Sequence, residues 1–295
     1  MAKKLSRIGM ALLAVLLVAG LVIGCGGNAA TEGEEQNQQG GSEELSGMLQ
    51  VNGSTTVAPV GQAWAEKFNE KHPNVDVVVS GTGSGDGIAA LINGTTDIAM
   101  ASRKMKDKER DRIDGTPKEI VVGRDGLAVV VHPDNPVDSL SMAEIKDIFT
   151  GQITNWQEVG GEDAEIIVYT RDTSSGTYGF FKEFVLDDQD YLKSGRATAS
   201  NAAIANSVAG EETAIGYCGL AFLDDKIKGI SVSKDGGEPV EPTLEKAKAG
   251  EYPIVRDLNM YTIGEPEGLA KDFLDYGFSY AGQAIVEEVG YLPVE

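Results

Sequence analysis

The chain has 295 residues, and its 46 acidic residues against 25 Lys and Arg give a formal net charge of −21 at pH 7. Proteins that bind nucleic acid need a basic face, so this balance argues against that class. It does not exclude an anion-binding cleft, because charges beyond a screening length of about 8 Å at physiological salt hardly reach it. Helix dipoles and one or two local arginines would set the potential there.

The first 24 residues have the pattern of a lipoprotein signal peptide. A basic start ending at Arg7 precedes a run of apolar and small residues at 8–23, and Gly24 then leads into Cys25. The pattern predicts Cys25 as the lipidated first residue of the mature chain, held on a membrane by a diacylglycerol anchor. An uncleaved transmembrane anchor is the alternative, but the apolar run is short for a span.

Residues 25–47 are rich in Gly, Gln, Asn and Glu, and we expect them to form a flexible tether. With Cys25 lipidated, Cys218 is the other of the two cysteines in the sequence, so no intramolecular disulfide can form. Cys218 follows an apolar, strand-like run at 214–217. We therefore expect a buried and inert thiol.

From residue 48 onward, patterns typical of strands alternate with patterns typical of helices. In chain order they predict a strand at 48–51, a helix with Val57, Val60, Trp64 and Phe68 on one face, a strand at 75–79, a helix at 88–92, a strand at 97–100, a long strand at 120–131 interrupted at 123–126, a helix at 141–149, a strand at 166–169, a helix through 185, a helix at 201–208, strands at 214–217 and 259–262, and helices at 269–278 and 281–289.

This alternation indicates an α/β fold. The helix at 141–149 opens with a capping box formed by Ser141 and Glu144. The length of the chain and the interrupted long strand favour two lobes, with the chain crossing near 124 and returning near 255. The expected first lobe holds 48–124 and 254–295, and the expected second lobe holds 125–253.

Three segments rich in glycine and hydroxyl residues each precede a predicted helix, at 53–56, 81–87 and 171–177. Such junctions leave free backbone N–H groups at the positive end of a helix dipole. Three of them, one led by Arg171, indicate a site for a small oxyanion at the carboxyl ends of the strands. The segment at 81–87 lacks the Gly-Lys-Ser/Thr of a P-loop and the third glycine of a dinucleotide motif.

The sequence offers little for catalysis. His72 and His132 stand alone, each before a proline, without partners at metal-ligand spacing. No Gly-x-Ser-x-Gly elbow or Ser/His/Asp set is evident. We therefore expect a binding protein without metal or cofactor; a phosphatase-type hydrolase and a surface module that has lost its ligand are the alternatives from other classes.

The segments at 53–59, 81–88, 97–103 and 171–177 resemble those of the phosphate-binding lipoproteins of high-affinity phosphate ABC importers, as do 126–136, 149–156 and 282–293. The resemblance covers residues 48–295. It implies a type II periplasmic-binding-protein fold, in which two lobes joined by a two-strand hinge close on one phosphate. It also implies a monomeric, lipid-anchored, extracytoplasmic protein, not an enzyme, that delivers inorganic phosphate to an ABC permease in the cytoplasmic membrane.

By resemblance, the phosphate-binding residues are Ser54, Thr55, Thr56, Ser84, Gly85, Ser102, Arg103, Arg171, Asp172, Ser175, Gly176 and Thr177. Arg171 is the strongest candidate, since its planar fork suits two phosphate oxygens; a surface or interlobe salt bridge is the alternative. For Arg103, ligand contact and an ion pair that bridges the lobes are both open. Ser84 is either a ligand or only a helix N-cap.

A receptor for sulfate, molybdate or tungstate is the alternative within the class of binding proteins. Asp172 is a candidate for distinguishing phosphate from sulfate. Phosphate near pH 7 keeps at least one proton, which a carboxylate can accept, whereas sulfate has none. If Asp172 has this role, its conversion to Asn erodes the preference for phosphate over sulfate. Alternatively, Asp172 only orients Arg171 or caps the next helix. Some family members carry an aspartate in place of Arg103 and an acid two residues after the arginine of the last motif, where this sequence has Thr173.

Overall fold

The computed structural model describes residues 44–234 and 236–294. The predicted signal peptide, Cys25 and most of the tether lie outside these residues. The described strands are β1 (Gly47–Gly53), β2 (Val75–Gly81), β3 (Ile98–Ala101), β4 (Pro117–Val131), β5 (Ser139–Ser141), β6 (Ile167–Arg171), β7 (Arg196–Thr198), β8 (Ala214–Gly219), β9 (Lys228–Gly229), β10 (Ser231–Ser233) and β11 (Val255–Ile263).

The described helices are α1 (Ala58–Lys71), α2 (Ser84–Ile92), α3 (Asp107–Arg110), α4 (Met142–Thr150), α5 (Gly176–Phe184), α6 (Asn201–Ala209), α7 (Leu244–Lys248), α8 (Gly268–Phe278) and α9 (Tyr280–Glu288). Trp156–Val159 and Leu220–Phe222 form single 3₁₀ turns. The predicted capping box is confirmed, because Ser141 Oγ accepts from the Glu144 N–H and the Glu144 carboxylate accepts from the Ser141 N–H. None of the helices between residues 44 and 294 is long and apolar enough to cross a bilayer.

The strands form one main sheet in the order β2-β1-β3-β11-β4-β8-β6-β7, with β9 also paired to β4. Strands β1, β2 and β3 run parallel, as do β6, β7 and β8, whereas β11 is antiparallel to both β3 and β4. A small second sheet pairs β5 with β10. The parallel strands on each side bring the starts of α1, α2, α5 and α6 toward the middle of the molecule.

Strand β4 connects the two halves of the sheet. It pairs with β11 over 117–126 and with β8 over 127–131. The predicted interruption at 123–126 is wrong, because β4 runs through it with only a register shift opposite Leu258 and Asn259. The glycines there serve close packing instead: a Cβ on Gly123 would lie 3.1 Å from Val286, and one on Gly126 would lie 2.5 Å from Leu220.

The apolar residues form two principal cores. One packs α1, α8 and α9 on the β1–β3 side of the sheet and includes Trp64, Phe68 and Phe273. The other surrounds β8 and includes Phe149 and Phe181. We call the parts around these cores the first lobe and the second lobe; the boundary residues predicted above stay a prediction.

The structure bears on two further sequence predictions, the burial of Cys218 and the end of the tether. Cys218 is a free, fully buried thiol in β8, as predicted, and burial raises its pKa to about 12. The tether was expected to extend through residue 47, but β1 already begins at Gly47 and Leu45 packs against the core of the first lobe. Residues 45 and 47, at the end of the segment assigned to the tether, therefore belong to the first lobe.

Candidate functional site

The first group of candidate residues lies between β1 and α1. Ser54 Oγ accepts hydrogen bonds from the backbone N–H groups of Thr56 (3.1 Å) and Val57 (3.3 Å). These bonds close the turn directly ahead of α1, and they leave the hydroxyl hydrogen of Ser54 available as a donor. Thr55 is half-buried and Thr56 is fully buried. The loop thus presents hydroxyl groups beside the N-terminus of α1.

The second group joins the start of α2 to the end of β3. Ser84 is the first residue of α2, and its Oγ accepts from the backbone N–H of Ser102 at 3.1 Å. The two serine hydroxyl oxygens lie 3.5 Å apart. Both side chains are buried. Ser84 and Ser102 therefore share one small polar spot at the carboxyl end of β3.

The third group follows β6 in the second lobe. Arg171 ends β6, and the Ser175 hydroxyl caps α5 by accepting from the Tyr178 N–H at 3.2 Å. Gly176 and Thr177 form the first turn of α5 and are buried. The sequence pattern of hydroxyl residues before a helix thus corresponds to a real helix start with an inward-facing first turn.

The three groups meet where the lobes touch. Thr177 Oγ1 lies 3.2 Å from Thr56 Oγ1, and Arg171 Nη2 donates to Thr55 Oγ1 at 3.2 Å. These contacts join the loop before α5 in the second lobe to the loop before α1 in the first lobe. The structure therefore brings helix N-termini, serine and threonine hydroxyls and one guanidinium together at a single place.

Gly176 is the point of closest approach between the lobes. A Cβ built there would lie 2.6 Å from Ser102 Oγ and closer still to Ser84 Oγ. Gly176→Ala is expected to weaken anion binding about 5- to 150-fold, because overpacking of this kind costs about 1–3 kcal/mol. Calorimetric titration measures the change.

Gly210→Ala is the matched control for this substitution, since a Cβ at the end of α6 would meet nothing nearer than the Asn206 carbonyl oxygen at 3.6 Å. It should leave binding unchanged. Full binding by the folded Gly176→Ala protein would mean that the lobes do not close around this residue when the ligand is held.

Arg171 is the one fully buried charge without an ion-pair partner in the part of the chain that the structure describes. The other two, Asp125 and Arg256, pair with each other at 2.8 Å. Arg171 Nε and Nη2 donate to the carbonyl oxygens of Thr198 (3.3 Å) and Ala199 (2.9 Å), and Nη1 has no partner. Burial lowers the pKa of Arg171, and the electrostatic interaction with Tyr217 opposes this shift. An anion at this place would compensate the buried charge.

Arg103 and Gly85 are placed differently from their predicted roles. Arg103 forms a two-pronged ion pair with Glu109 of its own lobe at 2.7 and 2.8 Å, and Nη1 also donates to the Lys104 carbonyl. It is therefore neither an ion pair between lobes nor a free cation. The Gly85 N–H donates to the Ser174 carbonyl of the second lobe at 2.8 Å, so it holds the lobes together and is not a free donor.

Two groups that the sequence reading missed also belong to this place. Asn201 begins α6, is fully buried, and donates from Nδ2 to Thr56 Oγ1 at 2.9 Å. Arg256 of β11 reaches Thr56 Oγ1 at 3.4 Å and the Ser102 carbonyl at 3.3 Å, while it pairs with Asp125 on the adjacent strand. Polar residues at a helix start, and opposite charges within apolar strands, are the signals that could have found them.

Asp172 is engaged in its own loop. Its Oδ1 accepts from the Ser174 N–H at 2.9 Å and from the Ser174 hydroxyl at 2.6 Å. This is the geometry of an Asx turn, which fixes the loop ahead of α5. The geometry favours a local structural role, the alternative named above, over contact with a ligand proton.

Asp172→Asn is accordingly expected to leave the preference for phosphate over sulfate within about twofold of the wild type, because Asn keeps the oxygen that accepts both hydrogen bonds. Competition titrations of the two anions test this. A collapse of the preference would instead assign the ligand-sensing role to this carboxylate.

The chemistry available at this place is hydrogen bonding and charge compensation. Within residues 44–234 and 236–294, no cluster of His, Cys, Asp or Glu could hold a metal ion. The converging groups are mostly donors: hydroxyls, backbone N–H groups at helix starts and the Arg171 guanidinium. Such a set suits a compact oxyanion with several acceptor oxygens.

Comparison with known proteins agrees with this geometry. The model of the PBP superfamily domain matches residues 29–280. The phosphate-binding protein PstS of Bacillus subtilis (strain 168) is 35% identical over 298 residues, which cover 99% of this chain and 95% of the relative.

Two solved structures are also similar. A substrate-binding protein from Clostridium perfringens, assigned to a phosphate ABC transporter and solved with bound phosphate, has a TM-score of 0.78 and 35% identity, covering 84% of this chain and 100% of that one. An ABC-type phosphate transport receptor from Vibrio cholerae has a TM-score of 0.70 and 30% identity, and the match covers 83% of this chain and 100% of that one. The predicted two-lobed periplasmic-binding-protein fold is thereby confirmed. The chain belongs to the PstS family of phosphate-binding proteins within the PBP superfamily.

Proposed function

We propose that this chain captures inorganic phosphate between its two lobes and delivers it to an ABC permease in the cytoplasmic membrane. The observation that carries the proposal is Arg171, a buried guanidinium with no carboxylate partner and with Nη1 unpaired, beside hydroxyls from both lobes. Burying a cation without a counter-ion costs free energy, and a bound anion would offset that cost. Phosphate, the anion named in the relatives' descriptions, is a compact oxyanion of the kind that this donor set suits.

The proposed ligand set consists of Thr55, Ser84, Ser102, Arg171, Ser175, Gly176 and Thr177, with Ser54 and Thr56 supporting it from the first loop. Since the set draws on both lobes, phosphate would favour the arrangement in which they touch through its differential affinity for that state. Opening about the strands β4 and β11 would release it to the permease.

Lipid anchoring through Cys25, an extracytoplasmic location, a monomeric state and the lack of catalytic activity complete the proposal. The pattern of the first 25 residues supports the anchor. The acidic net charge of −21 supports solubility of the domain that the anchor holds at the membrane surface.

Isothermal titration of the purified chain with phosphate and with sulfate tests the function. We expect one saturable site with a clear preference for phosphate, and no turnover of a chromogenic phosphoester with or without added metal ions. No binding of phosphate, or equal binding of both anions, would contradict the proposal. Release of phosphate from the ester would favour a hydrolase instead.

A further inference from the structure

Among the described residues, four buried side chains have a polar atom without a hydrogen-bond partner: Asp125, Arg171, Asn201 and Asn259. Asn259 lines a separate cavity of about 660 Å³ beside Arg103 and the strands β4 and β11. Arg171 and Asn201 belong to the site between the lobes. There, the unpaired Arg171 atom is a donor, Nη1, and the unpaired Asn201 atom is an acceptor, Oδ1.

The hydrogen bonds around Thr56 are consistent with this orientation of the Asn201 amide. Thr56 Oγ1 accepts from Asn201 Nδ2 at 2.9 Å and from Arg256 Nη2 at 3.4 Å, which occupies both of its lone pairs. Its own hydrogen then goes to Thr177 Oγ1, 3.2 Å away. With Nδ2 held by Thr56, Oδ1 is the end of the amide that remains available.

Both carboxylates near the site have protein partners, Asp172 through Oδ1 and Asp125 through Oδ2. Asp172 accepts both of its hydrogen bonds from Ser174 in its own loop. Asp125 pairs with Arg256 and lies against the backbone of Gly219, where an added Cβ would be 3.0 Å from its Oδ1. Arg256 thus stands between Asp125 and the hydroxyl of Thr56.

We propose that the amide oxygen of Asn201 accepts the hydrogen bond of the phosphate proton and so sets the preference for phosphate over sulfate. The proposal rests on the proposed function. Phosphate near neutral pH has both acceptor oxygens for Arg171 and a proton for Asn201. Sulfate has no proton, so its oxygens would face the amide oxygen as acceptor against acceptor. Leaving such a buried group unpaired is what makes rejection strong.

Asn201→Leu tests the proposal, because leucine fills a similar volume without an acceptor. The ratio of phosphate affinity to sulfate affinity is expected to fall by at least about tenfold. If Asn201 only holds Thr56 in place, Asn201→Leu would lower the affinity for both anions by the same factor and leave the ratio unchanged. Asn206→Leu, at an exposed position on the same helix, is the matched control and should alter neither affinity.

Asn201→Asp provides the second test, and it decides the matter even if the leucine variant does not fold. Aspartate can also accept the phosphate proton, and its charge repels sulfate, which has no proton to share, so the ratio should exceed that of the wild type. An unchanged or lower ratio in Asn201→Asp, or an unchanged ratio in folded Asn201→Leu, would overturn the role of Asn201. Wild-type protein without phosphate preference would overturn the proposed function itself.

Discussion

Arg171→Gln is expected to weaken phosphate binding by about two to four orders of magnitude. The guanidinium is buried, and Nη1 has no partner within the protein. Charge-assisted hydrogen bonds contribute about 1.5–3 kcal/mol each, so the loss of two would reduce the affinity by roughly 10²–10⁴-fold. Calorimetric titration of the folded variant measures this directly.

Arg171→Lys is expected to recover only part of the loss, because an ammonium cannot offer two parallel donors to one anion. Arg196→Gln is the matched control: Arg196 lies on β7 next to β6, but its side chain is 53% exposed and pairs with Glu211. Arg196→Gln should leave the affinity for phosphate within about twofold of the wild-type value.

The stability of the Arg171→Gln variant without phosphate provides an independent check. Removal of a buried charge that lacks a counter-ion offsets the loss of its hydrogen bonds to Thr198 and Ala199. The free energy of unfolding in phosphate-free urea is therefore expected to change by less than about 1 kcal/mol. Unimpaired phosphate binding together with a large loss of stability would make Arg171 a structural residue.

Asp125→Asn is expected to lower the free energy of unfolding by about 3–5 kcal/mol, the usual cost of breaking a buried ion pair from one side. Asp125 and Arg256 face each other on β4 and β11, the strands that join the lobes, and both are almost fully buried. Burial raises the pKa of Asp125, and the Arg256 guanidinium opposes that shift. Urea unfolding followed by circular dichroism measures the change.

Asp190→Asn is the control for Asp125→Asn. The Asp190–Lys182 pair is short, at 2.6 Å, but the Asp190 side chain is 93% exposed, so its loss should leave the free energy of unfolding nearly unchanged. The double variant Asp125→Leu/Arg256→Met should recover much of the stability lost by Asp125→Asn, since it leaves no buried charge unpaired. Equal costs for Asp125→Asn and Asp190→Asn would contradict this account of the pair.

The parts of the site that the sequence predicted are those with a local signal. Hydroxyl residues and glycine directly ahead of an apolar-periodic helix identified the loops before α1, α2 and α5, and the structure brings them together. The helix at 141–149 was also found from a local pattern, its capping box. In each case the residues concerned lie within about one helical turn of each other.

The parts that were missed depend on distant residues. Asn201 and Thr56 are 145 positions apart, and Asp125 and Arg256 are 131 apart. The ion pair of Arg103 with Glu109 is closer in sequence, but no sequence pattern around Arg103 predicted it. Strands of two or three residues, such as β9 and β5, are too short to show a period of two. Their existence is decided by the pairing partner and not by their own sequence.

The most direct test of the central claim is a crystal structure of the chain grown with phosphate. The account predicts one anion between the lobes, within hydrogen-bond distance of Arg171 Nη1, of the hydroxyls of Thr55, Ser84 and Thr177, and of the Asn201 amide oxygen. Phosphate bound elsewhere, or a protein whose loops before α1, α2 and α5 lie apart when phosphate is present, would contradict it.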